Sequence, residues 1–104
     1  MMDLITDTSM ADLEAKASGA AALLKSLANE KRLMILCRIL EHGEMSVMPL
    51  AQGVGLSQSA LSQHLARMRD DGILATRRDG QNMFYHLADP RVGHILKTLK
   101  INFC

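Results

Sequence analysis

The sequence predicts a mainly α domain that carries one β-hairpin. Three observations predict it. Apolar residues recur three and four apart along much of the chain, the spacing of helices with one buried face. A single Asp79-Gly80 pair sits between two short β-prone runs, a strong hairpin signal. Gly53 and Gly55 interrupt the helical spacing just before another helical run. The chain has 104 residues, which fits one domain over 1–104 with a modest core. Hydrophobic residues make up 48% and aromatics only 3%, with 8 Met, so the core is expected from Leu, Ile, Ala, Val and Met. So few rings argue against a platform for single-stranded nucleic acid, which needs stacking.

The elements follow in order. Residues 1–8 are expected to fray. Ser9 caps a first helix along which Leu13, Ala17, Ala20, Ala21, Leu24 and Leu27 recur at helical spacing. Asn29 caps a second helix, Glu30–Glu41, with Leu33, Leu36, Cys37 and Leu40 on one stripe; His42-Gly43 ends it. Ser46 opens a short third helix over Val47–Gln52, with Pro49 tolerated in its first turn. Gly53 and Gly55 supply the turn. Ser57 caps a fourth helix, Gln58–Asp71, which buries Leu61, Leu65 and Met68. Strands Ile73–Arg78 and Asn82–Leu87 follow, joined around Asp79-Gly80. Asp89-Pro90 starts a last helix with Val92, Ile95, Leu96, Leu99 and Phe103 on one stripe.

A short helix, a glycine-bearing turn and a second helix make a helix-turn-helix, and the hairpin after it makes a wing. The expected fold is therefore a winged helix-turn-helix of order α-α-α-α-β-β-α. The net charge of +1 says little about nucleic acid, but its distribution says more. Residues 1–15 carry four acids and no Lys or Arg, whereas Ser57–Arg69 carries Arg67 and Arg69 and no acid.

An α-helix fits the major groove, where short polar side chains near its N-terminus can read base edges. Gln58, Ser59, Ser62, Gln63 and His64 are such groups, and Ser57 stands at a helix N-terminus suited to a phosphate. Arg67 sits one turn on, while Arg77, Arg78 and Gln81 flank the wing tip. The same pattern also suits a plain solvated helix face. The absence of acids from Ser57 to Arg69, the turn before and the hairpin after favour double-stranded DNA.

No run approaches transmembrane length and no signal-peptide pattern opens the chain, so no membrane partner and a cytoplasmic location are expected. Cys37 and Cys104 are then expected as thiols at rest. Arg38 and His42 lie close in sequence to Cys37 and could lower its pKa. A small buried hydrophobe is the other reading of Cys37.

The strings Leu56-Ser57-Gln58-Ser59-Ala60-Leu61-Ser62-Gln63-His64-Leu65 and Arg69-Asp70-Asp71-Gly72-Ile73-Leu74 resemble the recognition helix and wing start of ArsR-type winged-helix repressors. Leu27-Ala28-Asn29-Glu30-Lys31-Arg32-Leu33-Met34-Ile35-Leu36 resembles that family's second-helix segment. Arg77-Arg78-Asp79-Gly80-Gln81 and Phe84-Tyr85 resemble its wing, so the likeness covers about residues 20–100. The resemblance implies a symmetric homodimer, packed through its first and last helices, on a palindromic operator. It implies no enzyme and no cofactor.

The placement of Cys37 within Ile35-Leu36-Cys37-Arg38 and of Cys104 after Asn102-Phe103 is similar to the dithiol subgroup, the BigR, SqrR and HlyU-like regulators. That likeness implies redox sensing by Cys37 and Cys104, with a persulfide, polysulfide or oxidant as inducer. The metal-sensing type with a Cys-x-Cys in the third helix would need thiols near Ser46-Val47-Met48, and none is there. A zinc site in the last helix would have to pool Asp89, His86 and His94 across a dimer, short of a good tetrahedral set, so no metal is expected. A metal-responsive repressor, a redox-insensitive winged-helix regulator and a protein-binding adaptor stay open as alternatives. A thiol enzyme using Cys37 lacks a His or Asp placed beside it by local spacing.

Overall fold

A computed structural model describes residues 9–104; the expected frayed stretch 1–8 lies outside them. The elements are α1 (Met10–Ala15), α2 (Ala17–Leu27), α3 (Glu30–His42), β1 (Met45–Ser46), α4 (Val47–Val54), α5 (Gln58–Asp70), β2 (Leu74–Asp79), β3 (Asn82–Leu87) and α6 (Pro90–Phe103). Predicted and observed order agree, with three differences of physical interest.

The first predicted helix is two. Lys16, at φ −106° and ψ 12°, leaves the helical region, and its N–H bonds the carbonyls of both Asp12 and Leu13. Helical bonding resumes at once, Ala20 N–H donating to Lys16 O, so the apolar spacing runs on across the break. The weak helix formers Ser18 and Gly19 follow the break and are its only local sign.

A two-residue strand was not predicted. Met45 and Ser46 pair antiparallel with Tyr85 and Phe84, giving a three-stranded sheet of order β1-β3-β2. Two residues are too few to show an alternation. The hairpin itself runs in the register Leu74↔Leu87 to Asp79↔Asn82, one residue later in β2 than predicted.

Gly53 belongs to α4, not to the turn. Only Gly55 takes the left-handed conformation there, at φ 68° and ψ 38°. At Gly53 a Cβ would meet the outer Arg38 side chain at 2.9 Å, so glycine leaves room for that side chain to lie across α4.

The core is a continuous cluster of Leu27, Ile35, Leu36, Ile39, Leu50, Val54, Leu61, Leu65, Met68, Ile73, Leu74, Val92 and Leu96. The helix α3 is its spine, packed against α4, α6, β1 and β3. Its buried stripe is Ile35, Leu36 and Ile39 rather than the predicted one. At 100° per residue Cys37 points away from that stripe, and it is exposed. Leu33 and Leu40 are half-buried. In α6 the predicted stripe holds at Val92 and Leu96 but fails at Phe103, which is 83% exposed. Among the described residues no helix is long and apolar enough to cross a membrane.

Candidate nucleic-acid interface and thiol pair

The helix α5 is fixed from three sides. Its apolar residues Leu61, Leu65 and Met68 are buried in the core, as predicted. Ser57 caps it: the Oγ accepts the Ala60 N–H at 3.2 Å and keeps its own O–H to donate. The Ser59 hydroxyl lies 3.5 Å from Ser57 Oγ. Gln58, Ser59, Ser62, Gln63, Arg67 and Arg69 are exposed, and no acid stands in the first turn. Arg67 pairs loosely with Asp71 at 3.8 Å, and Asp71 also accepts from Ser26 Oγ at 2.8 Å.

His64 is different. It is half-buried, and Arg32 Nε donates to its Nδ1 at 3.4 Å. Arg32 Nη1 also donates to the Ser26 carbonyl at 3.1 Å. The guanidinium thus ties the end of α2 to the flank of α5. Lys31 Nζ donates to Val54 O, capping the end of α4. Sequence reading missed Arg32 and Lys31 as partners of the helix-turn-helix, because their contacts cross 32 and 23 residues.

The wing's two arginines have different surroundings. Arg77, expected beside Arg78 as a DNA contact, is engaged within the protein. Its Nε donates to Glu44 Oε1 at 3.1 Å, and its guanidinium lies 4.8 Å from the centre of the Phe84 ring. The Arg77 hydrogen bond holds the Glu44 carboxyl below its ordinary range, and His86 adds a smaller pull. Arg78 is exposed and has no side-chain partner among the described residues; Gln81 is exposed at the tip. Glu44 had no sequence signal, since its partner lies 33 residues away.

Cys37 and Cys104 are both free and exposed. Although the residue is exposed, partial desolvation of its thiol by neighbouring atoms pushes the Cys37 pKa up, and the Cys104 charge raises it further. The expected lowering by Arg38 and His42 is therefore corrected. The Arg38 side chain lies over Gly53, and His42 Nδ1 donates to the Arg38 carbonyl at 2.9 Å. Neither group is turned to the sulfur's service. Cys37 lies in the middle of α3, and Cys104 directly follows α6, which packs against α3.

Asp89, one of the residues a zinc site would need, caps α6 by accepting the Arg91 N–H and binds the Arg91 guanidinium through both oxygens. Among the described residues no three of His, Cys, Asp and Glu gather in a metal-binding group.

Comparison with known proteins decides the family. The family described as bacterial regulatory protein, arsR family, matches residues 29–76, from the cap of α3 into β2. The HTH-type transcriptional regulator YgaV of Escherichia coli K12 is 45% identical over 93% of this chain and 98% of its own. The chain belongs to the ArsR family. The transcriptional activator HlyU of Vibrio cholerae is 44% identical over 89% of this chain and 85% of its own. Among solved structures, the transcriptional repressor BigR from Xylella fastidiosa superposes with a TM-score of 0.86 at 38% identity, over 92% of this chain and 97% of that one. This ArsR-family chain is a DNA-binding transcriptional regulator with a winged-helix fold, and its relatives are regulators rather than enzymes.

Proposed function

We propose that this chain is a homodimeric repressor of a palindromic operator, released when reactive sulfur or an oxidant links Cys37 to Cys104. In this reading Gln58, Ser59, Ser62 and Gln63 meet base edges, while Ser57, His64, Arg67, Arg78 and Gln81 meet the backbone. Arg77 holds the wing in place through Glu44. Two observations support a dimer: Leu13, Leu24, Ile101 and Phe103 are large apolar residues more than half exposed, and they lie on α1, α2 and α6. The sense of regulation follows the relatives named as repressors, such as BigR.

The observation that carries the sensing reading is the pair of exposed free thiols on two helices that pack together, Cys37 within α3 and Cys104 at the end of α6. The chemistry balances with a persulfide RSSH alone. The Cys37 thiolate attacks the outer sulfur of RSSH, the S–S bond breaks, and RSH leaves. Cys104 reacts likewise. The Cys104 persulfide then attacks Cys37 Sγ and expels HS⁻, leaving a trisulfide. Such a bridge spans a wider gap than a disulfide, which needs Cα atoms within about 7 Å. A solved structure of HlyU from Vibrio cholerae, described as reduced, is 44% identical to this chain, with a TM-score of 0.82 over 89% of this chain and 97% of that one.

The test treats the protein with a low-molecular-weight persulfide and follows intact mass and affinity for a selected duplex. Wild type is expected to gain a Cys37–Cys104 linkage and lose affinity, while Cys37→Ser and Cys104→Ser keep theirs. Release by stoichiometric metal in a variant lacking both thiols would overturn the reading.

A further inference from the structure

The geometry points to His64 as a hydrogen-bond donor, through Nε2, to a DNA phosphate, with Arg32 as the residue that sets its tautomer. This rests on the reading that α5 binds DNA.

A guanidinium has only donors. The Arg32 Nε contact to His64 Nδ1 therefore requires Nδ1 to be the acceptor. A neutral imidazole with a bare Nδ1 carries its proton on Nε2. A second contact orients the guanidinium, whose Nη1 donates to the Ser26 carbonyl at 3.1 Å. Among the described residues His64 Nε2 has no protein partner, yet none of their buried side-chain polar atoms is left unpaired. Nε2–H therefore opens to solvent.

Its place on the helix says what it meets. Leu61, Leu65 and Met68 face the core, and Ser59 and Gln63 stand opposite. His64 lies between these two sides, on the flank beside Arg32 and the end of α2. A helix lying in a groove turns its outermost side to base edges and its flanks to the sugar–phosphate walls. Phosphate oxygens accept and never donate, which matches a side chain that presents a donor.

Two substitutions divide the two ring nitrogens. Asparagine puts an acceptor near the Nδ1 position and nothing at Nε2; glutamine puts a donor near Nε2 and leaves Nδ1 empty. Affinity is measured on a duplex enriched from a random pool by the wild-type dimer, at several stated salt concentrations. His64→Asn is expected to weaken binding about tenfold or more. His64→Gln is expected to retain most of the affinity. The salt slope should stay unchanged in His64→Asn, because a neutral donor releases no counterion; a charged contact would lower it by about one. Arg32→Ala should weaken binding in wild type and add little in the His64→Asn background.

Nitrogen-15 spectra of wild type keep the idea testable if a variant folds poorly. They are expected to show one Nε2–H tautomer, with that signal moving when duplex is added. His64→Gln losing more than His64→Asn would overturn the proposal, as would an Nδ1–H tautomer. If Gln63→Ala and Ser59→Ala also bind normally, the DNA-reading role of α5 fails; if they weaken while His64→Asn does not, only this proposal fails.

Discussion

The face of α5 and the far end of the molecule are finished to different degrees. The reading helix is complete within one chain. It is capped by Ser57, anchored by Leu61, Leu65 and Met68, and tied to its neighbours by Arg32. The end built from α1, α2 and the last turns of α6 is unfinished. No residue of α1 is buried, and Leu13, Leu24, Ile101 and Phe103 stay exposed. In the proposed dimer this contrast divides the labour: the polar face of α5 would read, and the apolar end would set where a second reader stands. Cys104 ends the last helix of that second region, and Cys37 lies on α3, which packs against it.

The largest expected effect breaks that division. Leu24→Glu combined with Phe103→Glu should turn a dimer into a folded monomer. Affinity for a palindromic duplex should then fall at least about a hundredfold, because the second head no longer binds at high effective concentration. Sedimentation velocity and fluorescence anisotropy check this together. A persistent dimer with wild-type affinity would erase the contrast between the two ends.

Next comes stability. Leu65→Ala, in the anchored stripe of α5, should cost about 2–5 kcal/mol in denaturant unfolding. Ile101→Ala, at 79% exposure, should change the stability of the dissociated chain by less than about 0.5 kcal/mol. Equal losses would mean that the far end is as well packed as the reading helix.

A smaller effect sharpens the reading side. Gln63→Ala should weaken binding to the selected duplex by about 1–3 kcal/mol and leave random-sequence binding nearly untouched. Arg78→Ala should weaken both alike and lower the salt slope by about one. Competition with random duplex separates the two.

The smallest effect concerns Arg77. Glu44→Gln removes its partner and frees a cation, so random-sequence affinity should rise slightly and the salt slope steepen. Acid should do the same. The folded Glu44 pKa is depressed, so the pair is intact above the ordinary carboxylate range and is lost as pH falls through the lower folded value. A weaker, flatter salt response in Glu44→Gln would mean that wing placement outweighs the freed charge.

Legibility followed the same division. The α5 stripe was readable because its apolar residues occupy one side only, with Gln, Ser and Arg elsewhere. In α3 the apolar residues Leu33, Met34, Ile35, Leu36, Ile39 and Leu40 surround most of the helix, so periodicity had no single phase, and Cys37 was placed on the wrong side. The hairpin was readable from Asp79-Gly80, whereas β1 was too short to announce itself. The contacts that position the site, Arg32 to His64 and Arg77 to Glu44, join residues 32 and 33 apart in sequence, and no local pattern encodes such a pairing. The direction of the Cys37 shift also needed the fold, since it depends on what surrounds the sulfur rather than on Arg38 beside it in the chain.

In the proposed mechanism the unfinished end sets the spacing of two reading helices, and a sulfur bridge between α3 and the end of α6 disturbs it. A spin label attached through a non-cysteine handle at exposed Ala66 reports that spacing directly across the dimer. The reduced protein should give one population with the two α5 helices about 34 Å apart, one turn of DNA. Persulfide treatment should shift or broaden it in wild type and leave Cys104→Ser unchanged. An unaltered distance distribution in treated wild type that has nonetheless released its DNA would contradict this mechanism.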